Sequence, residues 1–442
     1  MSAHGPTIAN TAPAALGARN LRRYLIGQLI SNTGTWMQRA AQDLLALHLT
    51  ANSGSAVGLL TALQFLPQTL FGLSGGVIAD RFPKRRLLLI TQTAMAIQSL
   101  FLGLLTLVGT ITFPSLCALA VALGTTTALD QPARSAYLCE LVERDRIPGA
   151  VSLNAAQFNL ARIIGPALAG LAVAGAGPGP VFLANTASYL AVLYGLLTIR
   201  TEEPHTPREL RPSDTRLADA LRHVLGTPEL LLPIAVIGFV GTFGLNFQVT
   251  IALVSVTVFH TGPATFGYLS AAYAAGGLIG ALRGATRRQP PTARRLTVSA
   301  VTFGVLEAAV GLQPGYVTFL ALLIPTGLAA ATVTTTANAL TQLNADPPLR
   351  GRVMSVYFLV LLGGTPLGAP LVGLVSDTLG ARCSLILGGL ISAAAAPALL
   401  ALITIHARRA PRSRPPTAAE ETLADAPALL RRLTGPHAES RD

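Results

Sequence analysis

The chain is divided into long apolar runs, and their length limits what it can become more than any other feature. A helix that crosses a bilayer needs about 20 mostly apolar residues. Runs of this kind lie near 24–48, 55–79, 87–109, 113–133, 149–174 and 180–199, then near 230–258, 264–284, 296–313, 316–340, 353–375 and 382–405. Only 12% of the 442 residues are charged, about half the share in a typical soluble domain. A chain of this length with so little polar cover is expected to meet lipid over much of its surface. The expected fold class is therefore all-α integral membrane, with twelve transmembrane helices.

The arginines fix the direction of the first crossing. With the N-terminus inside, the inner segments receive Arg19, Arg22 and Arg23, then Arg81, Lys84, Arg85 and Arg86, then Arg134, Arg144 and Arg146. The pattern continues through the second set of runs to the arginines of the C-terminal tail. Of 32 basic residues, all but Arg39, Arg162 and Arg382 fall inside, and only Arg382 falls in an outer loop. A missed or extra crossing would scramble this asymmetry. Both termini are expected in the cytoplasm of a bacterial cell membrane. The net charge of +12 is accounted for by inner-leaflet lipid and needs no nucleic acid. Residues 1–20 form a polar tail with no cleavable apolar leader, so the first run is expected to stay in the membrane.

The longest polar interval, 201–228, reads as a cytoplasmic linker with a short amphipathic helix around 216–225. It separates two six-helix bundles, 21–200 and 229–405, and a disordered tail, 406–442, follows. The halves echo one another at an offset of about 200 residues. GGVIADRFPKRR at 75–86 faces GLIGALRGATRR at 277–288. TTTA at 125–128 recurs at 334–337, and GPALAG at 165–170 is echoed by APLVG at 369–373. The expected architecture is two pseudo-symmetric bundles with a path between them.

Three segments carry a family resemblance. The loop from Gly76 through Asp80, Arg81, Pro83 and Arg85 to Arg86 resembles the G-x-x-x-D-R-x-G-R-R signature of the major facilitator superfamily, with Pro83 where glycine is usual. Gly165, Pro166 and Gly170 resemble the helix-5 motif of its antiporters. Segments 130–134 (DQPAR) and 349–355 (LRGRVMS) resemble the enterobactin-exporter-like and macrolide-efflux-like branch. The resemblance covers about residues 20–405 and implies a drug:proton antiporter fold. It implies a conformational latch of Asp80, Arg81, Arg85, Asp130 and Arg134, closing on the start of the eleventh helix, whose N-terminal dipole favours an anion. It also implies a gating bend at Gly165, Pro166 and Gly170, since proline removes a helix hydrogen bond.

Ionisable groups inside apolar runs are functional candidates because each costs about 2.5–3.5 kcal/mol at the bilayer centre on insertion scales. Arg39 and Asp43 lie four residues apart and can pair on one helix face. Glu307 has no local partner. Asp43, Arg39 and Glu307 are the candidates for proton coupling. Gln38, Asn246, Gln248, Trp36 and Phe243 are the candidates for lining the cavity. Cys117, Cys139 and Cys383 have no metal or disulfide spacing and read as packing residues.

The sequence holds no phosphate-binding loop of the G-x-x-x-x-G-K-[ST] kind and no zinc-protease or nucleophile-elbow motif. No enzyme, metal or cofactor is expected. The function expected is a secondary active exporter, monomeric and proton-coupled. It would move an amphiphilic small molecule such as an antibiotic, a siderophore or another secondary metabolite. An importer or lipid flippase of the same superfamily is the nearest alternative, and a non-transporting membrane sensor is the alternative from another class.

Overall fold

The computed structural model describes residues 19–143, 146–199, 217–285, 290–346 and 349–409. Among these residues there are fourteen α-helices and no strand. The first six are α1 (Arg19–Leu49), α2 (Gly54–Arg81), α3 (Lys84–Leu107), α4 (Phe113–Glu140), α5 (Ile147–Ala176) and α6 (Pro178–Thr198). The short helix expected around 216–225 is α7 (Leu217–Gly226). Then come α8 (Pro228–Phe243), α9 (Phe247–Leu253), α10 (Pro263–Ala285), α11 (Ala293–Gly311), α12 (Tyr316–Asn344), α13 (Arg350–Leu379) and α14 (Ala381–Arg409). The expected tail 406–442 overlaps the last turn of α14; residues 1–18 and 410–442 lie outside the described residues.

Local chemistry sets the helix ends. Phe82, extended at φ −106° and ψ 151°, precedes Pro83, as steric conflict with a following proline ring requires. Proline thus takes the place of glycine by stopping α2 and starting α3 within two residues. Gly380 turns the chain from α13 into α14 at φ 93°, a conformation in which a side chain is strained.

Nine of the helical segments among the described residues are long and apolar enough to cross a membrane. One of them, Pro228–Val258, joins α8, α9 and a π-helical turn, Val254–Val258. α1 is not among the nine. Its Gln28, Asn32, Gln38, Arg39, Gln42 and Asp43 dilute the apolar run, yet all six are buried. The polar groups of α1 therefore turn into the protein, as hydrocarbon demands. α2 and α11 are also outside the set, α11 carrying Arg294, Arg295 and Glu307 in a short helix. Large apolar side chains stand exposed on the helix surfaces, among them Ile90, Phe101, Leu190, Leu282, Val305 and Leu367. Soluble monomers rarely expose so much apolar surface; this is a multi-pass membrane protein.

Residues up to Leu400 form one compact unit, and Ala401–Asp442 form a second, of which only the last turns of α14 are described. Within the first unit α1 packs on α5 and α6, α2 on α4, and α3 on α4 and α6. After α7, α12 packs on α8, α10 and α11, and α13 on α8. Two long pairings join the early helices to the late ones: α2 with α13, and α5 with α10. α9 touches both α1 and α2.

Candidate functional site

Both pairings between early and late helices are tight at one end, the end where α2 starts and α5 finishes. A Cβ on Gly58 would overlap the carbonyl of Ala369, and one on Gly373 would overlap the backbone of Gly54. A Cβ on Gly170 would overlap the amide of Gly267 and the carbonyl of Pro263. Small residues let backbones approach this closely in membranes. At the opposite end the glycines of α2 and α13 are uncrowded. A Cβ on Gly72, Gly76 or Gly351 would meet nothing within 4 Å, and Leu70, Phe71, Phe82 and Phe358 are exposed.

The helix-5 motif has two faces. Gly165 sits on α1, where a Cβ would crowd Trp36, Met37 and Thr33, while Gly170 sits on α10. Pro166 lies between them inside a helix that continues to Ala176. The motif joins a contact among the first six helices to a contact with the later ones.

The expected latch residues lie toward this second end. Arg81 is exposed at the end of α2, and the side chain of Asp80 lies outside the described residues. Arg85 donates to the Leu196 and Leu197 carbonyls at the end of α6, at 3.0 and 3.1 Å. Buried Asp130 accepts from Thr91 at 2.7 Å and Gln92 at 2.8 Å and pairs with Arg134. Arg134 in turn donates to Asn32 at 2.7 Å. These bonds all run among the first six helices.

The centre is built around Asp43. Its Oδ2 accepts from Gln248 Nε2 at 2.6 Å, and Thr61 donates to Oδ1 at 3.5 Å. Asp43 is fully buried, and Gln248 belongs to α9, just past the break at Gly244–Asn246. Broken spans and π turns concentrate at functional sites. Gln248 was expected at a cavity wall; the structure makes it the partner of Asp43 across the two sets of helices.

Two expectations are corrected, the Arg39–Asp43 pair and Gln38 as a cavity wall. Arg39 does not pair with Asp43 within 4.0 Å; its guanidinium lies 4.4 Å from the Phe65 ring centroid and 5.2 Å from that of Trp36. Asp43 instead faces α2 and α9, so one turn of helix separates their partners. Gln38 does not line a cavity. It donates to Gln98 at 2.9 Å and accepts from Ser99 and Asn185 at 2.7 Å each, tying α1 to α3 and α6. Asn246 is buried and donates to the Thr242 carbonyl at 2.7 Å, filling the gap left where α8 ends. Half-buried Trp36 stands edge-on to Phe158, with ring centroids 6.1 Å apart. Half-buried Phe243 stacks on Phe239 at 6.4 Å.

Glu307 is buried in α11, and its Oε2 has no hydrogen-bond partner. It faces the break after α8: a Cβ on Gly244 would lie 2.9 Å from that oxygen and 2.7 Å from Ser392 Oγ. An apolar groove of about 340 Å³ between α1, α5 and α6, lined by Leu29, Met37, Ile164 and Ala184 among others, lies apart from Asp43. The three cysteines are free and partly buried.

A helical membrane protein with early and late helices meeting in two such pairings, around a buried polar centre, is a membrane transporter of the major facilitator kind. The chain belongs to the transmembrane secretion effector family, whose pattern it matches over residues 10–427. It is 27% identical over 375 residues to the multidrug efflux pump Tap of Mycobacterium tuberculosis, covering 80% of this chain and 87% of that protein. It is 24% identical to the staphyloferrin A transporter of Staphylococcus aureus, covering 78% and 87%. It is 26% identical to the enterobactin exporter EntS of Citrobacter koseri, covering 74% and 78%. The fold is shared with an inward-facing, unoccupied bacterial homologue of the human lysosomal transporter Spinster. The TM-score is 0.73 at 15% identity, covering 88% of this chain and 98% of that one. The family and these relatives are transporters of small molecules and not enzymes.

Proposed function

We propose that the protein is a proton-coupled exporter of an amphiphilic small molecule, working as a monomer in a bacterial cell membrane with both termini in the cytoplasm. Two six-helix bundles, 21–200 and 229–405, joined by the cytoplasmic linker 201–228, would complete twelve crossings and rock about the central path. The observation that carries this reading is the pair of glycine contacts, Gly58–Ala369 and Gly170–Gly267, tight at one end, while Gly72, Gly76 and Gly351 at the other end of α2 and α13 are uncrowded. With the arginine-rich segments inside, the tight end is the outer one, and the state is inward-facing. The names of the relatives, an efflux pump and a siderophore exporter, support export.

Asp43 is the leading proton carrier in this reading. Ionised, it is an acceptor-only group held by Gln248 from the other bundle; a proton would remove its charge and weaken that bond. Loading and releasing a proton would thus loosen and restore a link across the path. Glu307 is the second candidate. Half-buried Trp36, Phe65, Phe158 and Phe243 offer aromatic surface to an amphiphile, and Gln248 offers it a polar contact. The latch of Asp80 and its neighbours would close in the outward-facing state.

Efflux from cells expressing the protein, across a panel of antibiotics and siderophores with and without a protonophore, tests this reading. We expect at least one compound to accumulate less in expressing cells, with the difference abolished by the protonophore. Efflux indifferent to the protonophore would remove proton coupling. Greater accumulation would favour an importer, and binding without flux in proteoliposomes a sensor.

A further inference from the structure

One basic residue stands at the outer end of the proposed topology, and its surroundings repeat those of a residue at the inner end. Arg382 donates to the Gln313 and Pro314 carbonyls, just past the end of α11, at 2.5 and 3.2 Å. Arg85 donates to two carbonyls at the end of α6. Each arginine opens a helix (α14 or α3) and clamps the carboxyl end of a neighbour, where exposed carbonyls favour a cation.

The segments leading into the two arginines share a spacing. Gly76, Asp80 and Arg85 lie at the same intervals as Gly373, Asp377 and Arg382. Gly380 stands where Pro83 stands in the first copy. The first copy ends α2, and the second ends α13. These two helices are partners in a long pairing and run in opposite directions, so the copies lie at opposite ends of it.

In the second copy the carboxylate is engaged. Asp377 Oδ1 accepts from the Gly54 amide at 2.5 Å, and Oδ2 accepts from the Ser55 amide at 2.8 Å and the Ser53 hydroxyl at 3.2 Å. Gly54 and Ser55 carry the first two amides of α2, which have no partner within their own helix. The third, Ala56, is capped locally by Ser53 Oγ at 3.2 Å. The start of α2 is therefore capped half by its own Ser53 and half by a carboxylate from α13. Beneath the carboxylate, Gly373 packs on the backbone of Gly54 and Ser55.

We propose that 373–382 is a second latch, in which Asp377 holds α2 and α13 together at the end closed in this structure and releases them when that end opens. The proposal rests on the alternating-access reading and adds a gating residue to it. Release would leave two helix-start amides and one carboxylate to water, so the bonds count only toward the closed state.

The test is a distance measurement and needs no cargo. Spin labels are placed at Leu59 and Leu374, exposed positions on α2 and α13. The background has Cys117, Cys139 and Cys383 replaced by serine, and the full chain is held in lipid nanodiscs. With Asp377→Asn, the ratio of long to short distances is expected to rise about tenfold, or about 1.4 kcal/mol. Thr378→Ala, which removes a hydroxyl bonded only within α13, is expected to leave the distribution unchanged. Unchanged distances in Asp377→Asn, or an equal shift in Thr378→Ala, would overturn the latch. Since no flux is read, failure of the export reading leaves this result standing on its own.

Discussion

Gly170→Ala isolates the cost of one backbone contact. The added methyl group meets the amide and Cα of Gly267 and the carbonyl of Pro263, which are main-chain atoms with no rotamer to turn away. Within α5 itself alanine is the better helix former by about 1 kcal/mol, so the helix is not weakened. The penalty falls on the conformation in which α5 and α10 touch. Overpacking of this kind costs about 1–3 kcal/mol, which converts to a population shift of about 5- to 150-fold. The assay is the rate at which an impermeant thiol reagent, added from outside, labels Thr61→Cys. Thr61 is buried beside Asp43, behind the closed end. Labelling should accelerate by a factor in that range. An unchanged rate in a correctly inserted variant would refute the claim that the α5–α10 glycines close the path.

Asp43→Asn removes the ionisable group at the centre but keeps its shape, so the pH dependence of transport should vanish; an unchanged profile would move proton coupling elsewhere, with Glu307→Gln tested next. Asp80→Asn should impair flux while membrane insertion stays normal, and normal flux from the inserted variant would dismiss the inner latch. Asp130→Ala leaves the largely buried Arg134 without its carboxylate, a loss of about 3–5 kcal/mol. Its thermal unfolding midpoint in detergent should fall clearly, and an unchanged midpoint would show that the pair is not structural.

The helices were legible because membrane insertion is a local test of hydropathy. Most apolar runs qualify on their own residues, as α5 at Ile147–Ala176 does within a few residues of 149–174, whereas α1, α2 and α11 do not. Partners were less legible. Asp43 and Gln248 are 205 residues apart, and no local pattern joins them. Gln38 and Gln42 looked alike in sequence. α1 packs against several helices, so a polar residue on it can serve as a fastening on any of several faces, and the sequence gives no face for the cavity. The expected Arg39–Asp43 pair failed because i,i+4 spacing permits contact without requiring it. Asp377 was missed for another reason. Its spacing to Gly373 and Arg382 is plain, but the repeat of the two halves, offset by about 200 residues, pairs 75–86 with 277–288, and 373–382 falls outside that register.

α13 carries small residues on two sides. Gly364 and Gly368 lie against α8, while Ala369 and Gly373 lie against α2. One seam belongs to its own neighbourhood and the other must part. Both are made of main chain, and main chain is the same whichever cargo the pocket accepts. Choice of cargo and the closing stroke are therefore open to change independently. Substitutions that widen or redirect the choice of cargo should accumulate around Trp36, Phe65 and Gln248, and substitutions along the glycine seams should slow transport of every compound alike.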